Sequence, residues 1–225
     1  MNDLKIINWK NVFEKSSDFQ NNQPFKFGFI EEFIDRELYE KLYETYPKLD
    51  EFLDGSGMTK AQLIRWWGNH DENEIVKDEE DSKLSKEWNQ FYHYCHSEEF
   101  IENMRKFTGI PITKVKHFSF VAYKKGGFQL PHIHNVGPST IVMMVYFSKN
   151  WKKGDPGGTY IASEADESKI IFEPYNLDNS VALFHDGPKA AHGTRYMTKD
   201  VERRAIQIYL EEYTSEHGWS GPGSN

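Results

Sequence analysis

The chain has 225 residues, enough for one domain with a sizeable core, and an aromatic content of 15% supplies ample apolar surface to bury. A net charge of −8 without a basic stripe argues against a nucleic-acid backbone as the main partner, since phosphate recognition needs clustered Lys and Arg. The single cysteine, Cys95, excludes an internal disulfide and fits a reducing compartment.

Residues 1–30 are polar with scattered aromatics and read as an irregular lead-in. The first residues lack the charged-then-apolar pattern of a signal peptide. Asp35 can cap a helix through Leu38, Leu42, Tyr43 and Tyr46 that stops at Pro47, with Glu37 and Lys41 as an exposed pair four residues apart. From Asp50 to Asp81 the character is mixed: a turn at Gly55-Ser56-Gly57, a buried or lid-forming pair Trp66-Trp67, and a solvated acidic loop from Asp71 to Asp81, read alternatively as a lid over a substrate. Leu84, Trp88, Phe91, Tyr92 and Cys95 share a face of a second helix. Ser97 can cap a third that carries Phe100, Ile101, Met104 and Phe107 and ends at Gly109 and Pro111.

After Pro111 the pattern becomes that of strands: Val115–Tyr123, a buried run at Ile141–Phe147, Thr159–Ala162, Lys169–Phe172, Ser180–Phe184 and Arg203–Tyr213. Turns fall at Gly126-Gly127, at 154–158 and at 176–179. Short strands at regular spacing, with the helices kept to the N-terminal half, predict an α+β chain with a mainly β core. The architecture expected is a double-stranded β-helix, a jelly-roll barrel backed by N-terminal helices. The expected division is one domain over 1–217, with helical support at 30–110 and a jelly-roll core at 111–213, then a mobile tail at 218–225. The longest apolar run, Ile141–Phe147, is far too short to span a bilayer, so the chain is expected to be soluble and cytoplasmic.

The stretch that carries chemistry is Leu130-Pro131-His132-Ile133-His134-Asn135. Residues two apart on an extended strand face the same way, so His132 and His134 form a clamp for a metal. His192 lies far off, in Phe184 to Gly193, and must be brought in by the fold. Three ligands on one side of a metal leave positions open on the other. The remaining histidines read differently. His70, His93, His96 and His217 are expected to face solvent, and His117 and His185 to be hydrogen-bonded barrel residues.

These residues resemble the Fe(II)/2-oxoglutarate-dependent dioxygenases, specifically the prolyl-4-hydroxylase-like group, over most of the chain. Phe29 to Asp35 with the following helix is similar to that group's opening strand and helix. Val121-Ala122-Tyr123 through His132 resembles its strand leading to the first iron ligand. Val145 to Trp151 followed by Gly157-Gly158 resembles its tyrosine-bearing strand and paired-glycine turn. His192-Gly193-Thr194 matches the distal histidine, and Arg203-Arg204-Ala205, eleven residues past His192, matches the arginine that holds the cosubstrate.

The resemblance implies an oxygenase in which Fe(II) binds His132, His134 and His192. The cosubstrate 2-oxoglutarate would chelate the metal beside O2, and ascorbate would serve as a supporting reductant. Its far carboxylate needs a permanent cation, which a guanidinium supplies with two parallel hydrogen bonds. Arg203 takes that role, with Tyr146 on the same carboxylate and Tyr123 bordering the pocket. Arg204, on the opposite face, is left as a surface ion pair. The product would be succinate, CO2 and, most simply, a hydroxylated small molecule or peptide, whose identity the residues do not name.

One departure stands out: the family's second ligand is Asp or sometimes Glu, and here it is His134. Three neutral imidazoles leave Fe(II) one positive charge richer than the usual triad. Asp186 and Asp155 are the nearby carboxylates, and neither has ligand spacing. His134 can alternatively be read as a substrate-contacting or outer histidine with water on the metal. Two other functional readings remain open. One is a three-histidine cupin-type dioxygenase without a keto acid, although Asn135 to Ser139 lacks the Glu that a cupin expects. The other is a non-catalytic metal-binding barrel used as a binding module.

Overall fold

The computed structural model describes residues 5–69 and 80–212. In chain order the elements are α1 (Trp9–Glu14), α2 (Ser16–Asn21), β1 (Phe27–Glu31), α3 (Arg36–Glu44), β2 (Leu53–Asp54), β3 (Lys60–Ala61), β4 (Leu63–Trp66), α4 (Lys86–Cys95) and α5 (Glu98–Thr108). They continue with β5 (Lys114–Tyr123), β6 (Phe128–His132), β7 (Thr140–Phe147), β8 (Thr159–Ala162), β9 (Ile170–Phe172), β10 (Asp178–His185), β11 (Ala191–Thr194) and β12 (Arg203–Glu211). The strands form a large sheet, β1-β10-β7-β12-β5-β4-β2, and a smaller one, β3-β6-β11-β8-β9, with antiparallel pairing throughout. This is the expected jelly roll.

The helix ends follow the capping residues. The Asp35 side chain accepts from the Glu37 amide at 3.1 Å, and Lys41 donates to Glu37 at 2.9 Å. Ser85 and Ser97 accept from Trp88 N and Phe100 N, opening α4 and α5. Gly109 closes α5 in the left-handed conformation, φ 66°.

Strand alternation then sorts residues into layers. On β7, Ile141, Met143, Val145 and Phe147 face the helices, where they pack with Trp88, Phe91, Phe100 and Phe107 in the main core. Burying each such side chain is worth about 1.5–3 kcal/mol. Val142, Met144 and Tyr146 face the other way, into the space between the sheets. On β12 the helix-facing residues are Ile206, Ile208 and Leu210, so Arg203, Ala205, Gln207, Tyr209 and Glu211 share the inner face.

Several elements differ from the sequence reading. The lead-in contains α1 and α2, which bury Val12 and Phe19 against the other helices. The mixed stretch contributes β2, β3 and β4, which extend both sheets. Asp81 is not part of a solvated loop: it is buried and holds the equally buried Arg65 at 2.9 Å. The rest of the acidic stretch (71–79), together with His70, Tyr213, His217 and the tail, lies outside the described residues. His96 does not face solvent fully, because its ring lies tilted against Tyr92 with the centroids 4.1 Å apart. No helix among the described residues is long and apolar enough to cross a membrane.

Candidate active site

His132 is the last residue of β6, and His192 on β11 is its direct cross-strand partner. Residues directly opposite on one sheet face bring their side chains together, and the two ring centroids are 4.3 Å apart. Close approach of these strands depends on Gly193. A Cβ there would lie 2.7 Å from the Gln129 carbonyl oxygen and 2.4 Å from the Tyr160 hydroxyl.

His134 lies two residues past the end of β6, not on the strand as alternation predicts. Its ring still closes the triangle, 4.8 Å from each of the other two. Potential ligand atoms of the three histidines all lie within 4.8 Å of one another, and neither Asp155 nor Asp186 enters the cluster. Asp155 instead binds Lys199 at 2.5 Å.

Each ring is oriented by an acceptor on its Nδ1. His132 donates to the Leu130 carbonyl at 2.9 Å, His192 to the Ala190 carbonyl at 2.8 Å and His134 to the Asp186 carboxylate at 2.6 Å. A carbonyl or carboxylate oxygen only accepts, so Nδ1 carries a proton in each ring and Nε2 is the nitrogen left to face a metal. Burial, and then the neighbouring His132 and His134, hold His192 well below the usual imidazole range. Burial lowers His132 as well. His132 and His192 are thereby held as neutral imidazoles, a donor type that suits a first-row divalent metal.

These rings line a cavity of about 450 Å³ between the sheets. Its lining includes Tyr123, Gln129 and Thr159, with Tyr123 paired to Arg203 at the start of β12, and also Trp66, Lys116, His117, Tyr209 and Glu211, the last two toward the other end of that strand. The Tyr123 hydroxyl donates to Gln62 at 2.9 Å. Trp66 and Trp67 do not act as a pair. Trp67 is buried and stacked on Tyr92 at 3.8 Å, whereas Trp66 meets His117 edge-on at 4.7 Å in the cavity wall. His117 bonds the Ser119 hydroxyl at 2.7 Å, and His185 the Pro138 carbonyl at 2.6 Å.

Arg203 is fully buried behind the Tyr123–Thr159 end. Its Nε donates to the Gly157 carbonyl at 2.9 Å and its Nη2 to Thr159 Oγ1 at 3.0 Å. Gly157 adopts φ +127°, open to glycine alone, and a Cβ there would strike Trp151 at 2.8 Å. The guanidinium is flanked by the rings of Tyr123 at 5.0 Å and Tyr146 at 4.9 Å. Nη1 is buried and has no hydrogen-bond partner. A buried charged donor left unpaired is costly, so an anion on Nη1 fits the site. Arg203 itself does not line the cavity; Tyr123 and Thr159, which touch it, do.

Tyr146 likewise sits behind the lining, its hydroxyl accepting from the Thr159 amide at 2.9 Å. Arg204 points the other way and binds Glu202 at 2.6 Å. Sequence reasoning missed Gln62, Gln129 and Thr159, ordinary polar residues without a motif of their own. For Thr159 one signal was available: it directly follows the paired glycines.

The fold and the cluster together define a double-stranded β-helix with a histidine-lined pocket between its sheets. It is the fold of the 2-oxoglutarate/Fe(II) oxygenases, including prolyl-4-hydroxylase, and the likeness expected from the motifs holds at that level. A Pseudomonas putida prolyl-4-hydroxylase superposes with a TM-score of 0.63 at 13% identity, over 91% of this chain and 98% of its own. A Trichoplax adhaerens prolyl hydroxylase, solved with a hypoxia-inducible-factor peptide fragment, gives 0.57 at 17% identity, over 90% and 88%. HygX of Streptomyces hygroscopicus, solved with nickel, 2-oxoglutarate and hygromycin B, gives 0.58 at 11% identity, over 94% of each chain. No protein-family model and no curated protein matches the sequence.

Proposed function

We propose that this chain is an Fe(II)- and 2-oxoglutarate-dependent oxygenase. It would convert 2-oxoglutarate and O2 to succinate and CO2 while oxidising a C–H bond of a small molecule or peptide, most simply to an alcohol. The single observation that carries the reading is the cluster of three rings with every Nδ1 held by an acceptor, beside a buried arginine with an unpaired donor. When bound, iron would supply the redox chemistry.

The chain's own residues do the rest. His132, His134 and His192 present neutral nitrogens to the metal. Arg203 holds the far carboxylate of the keto acid through Nη1, with Thr159 and Gly157 fixing the guanidinium plane. Tyr123 and Tyr146 wall off that end from water and keep the charge pair in a weakly screening environment. The open remainder of the cavity, edged by Trp66, His117 and Tyr209, takes the substrate. Domain extent belongs to the same proposal: residues 1–217 act as one catalytic unit. Ascorbate would support turnover as a reductant, and cytoplasmic placement goes with the iron chemistry and the lone Cys95.

A cupin-type enzyme without a keto acid has no use for a buried cation behind the pocket, so the Arg203 environment favours the first reading. The test is succinate formation from labelled 2-oxoglutarate, with and without Fe(II) and with and without O2. Succinate that requires both is the expected result, and none under any condition rejects the assignment.

A further inference from the structure

The family's ligand carboxylate is missing from the His132-x-His134 motif, yet a carboxylate is present one hydrogen bond away. Asp186 follows β10. Its amide donates to the Thr140 carbonyl and its Oδ1 accepts from the Gly187 amide, each at 2.8 Å. The side chain is fully buried, and its other oxygen, Oδ2, meets His134 Nδ1 at 2.6 Å. That is the short end of hydrogen-bond lengths, as expected when the acceptor is an ion.

Of the three histidines, only His134 is held by a carboxylate; the other two are held by backbone carbonyls. It is also the histidine that stands where a carboxylate ligand would. We propose that Asp186 is a positioning residue that restores the missing anionic character: it fixes His134 with Nε2 toward the metal and makes that nitrogen a stronger donor. A carboxylate on the far side of a ligating imidazole raises ligand basicity and orients the ring. His134 and Asp186 then act together as a longer equivalent of the direct carboxylate ligand. The inference rests on the three-histidine metal site proposed above.

The test uses Co(II), whose visible spectrum reports its ligand field, on the full chain. Asp186→Asn removes the charge at nearly constant shape. It should weaken Co(II) binding by about 10–100-fold, the usual effect of losing such a partner, and shift the visible bands. The decisive comparison is the same change in a His134→Asp background. There the carboxylate is already on the metal, and Asp186→Asn should be neutral or should strengthen binding by removing a like charge. Unchanged affinity and spectrum in Asp186→Asn would overturn the proposal. So would an equal loss in both backgrounds, which marks a general folding defect. Wild-type chain that binds no Co(II), or His134→Ala that binds as well as wild type, is a different failure: it removes His134 from the metal and the three-histidine reading with it.

Discussion

Arg203 and Arg204 are adjacent in sequence, but strand alternation gives them different surroundings. Arg203 is enclosed by Tyr123, Tyr146, Thr159 and the Gly157 carbonyl, with Nη1 unpaired. Arg204 is half-exposed on Glu202. A half-exposed ion pair contributes about 0–1 kcal/mol. Removing one partner of a desolvated, hydrogen-bonded charge pair costs about 2–5 kcal/mol. Arg203→Ala should therefore weaken 2-oxoglutarate binding by about 2–4 kcal/mol, and Arg204→Ala should leave it nearly unchanged. Calorimetric titration of the metal-loaded variants decides between them; the reverse ranking would mean that the cosubstrate does not sit on the inner face of β12. The face assignment was legible from sequence because the period of a strand is two. Asp186 was visible only as a carboxylate without ligand spacing. Its hydrogen bond to His134 depends on where β10 ends and where the loop after β6 crosses it, and neither is encoded locally.

The same limit applies to whole elements. Helices with a side-chain cap and a clear apolar face, α3, α4 and α5, were legible to within a few residues. α1, α2, β2, β3, β4 and β11 were not: each is six residues or shorter, and such segments take their conformation from what they pack on. The β5–β12 ladder shows a further effect that sequence hides. Its register slips after Tyr209↔His117, to Leu210↔Val115, so Lys116 is an extra residue and both Lys116 and His117 reach the cavity. Burial brings Lys116 down to about 8. Burial, aided by Lys116, holds His117 at about 3.

That depression has a definite sign. Below the unfolded value near ~6.5 the unfolded chain takes up a proton at this site and the folded chain does not. Stability should therefore fall as pH drops from ~6.5 toward the folded value, by up to about 1.4 kcal/mol per pH unit from this residue. His117→Gln should lack this part of the acid sensitivity. Urea unfolding of both proteins between neutral and mildly acidic pH provides the check, and parallel stability profiles would show that His117 titrates normally.

At the scale of the molecule, the jelly roll separates two tasks. The face of the large sheet turned toward the helices carries the aromatic core, and the face turned toward the small sheet carries every proposed functional residue from that sheet. The small sheet contributes His132 and His192, and the loop after β6 contributes His134. The histidines and the arginine were legible as a set because their order and spacing resemble a known pattern. The substrate was not, since the far end of the cavity is built from Trp66, Lys116, His117, Tyr209 and Glu211, which belong to three strands and share no motif.

The central claim is that metal and keto acid bind together on the three-histidine face. The most direct measurement is anaerobic titration of the Fe(II)-loaded protein with 2-oxoglutarate, followed by the visible charge-transfer absorption that arises when a keto acid chelates iron. The account predicts a band that saturates at a single keto acid per iron and is absent from the His132→Ala and His192→Ala variants, which should also fail to retain iron. Full iron occupancy in the double variant, or iron-loaded wild type that develops no band at saturating 2-oxoglutarate, would contradict it.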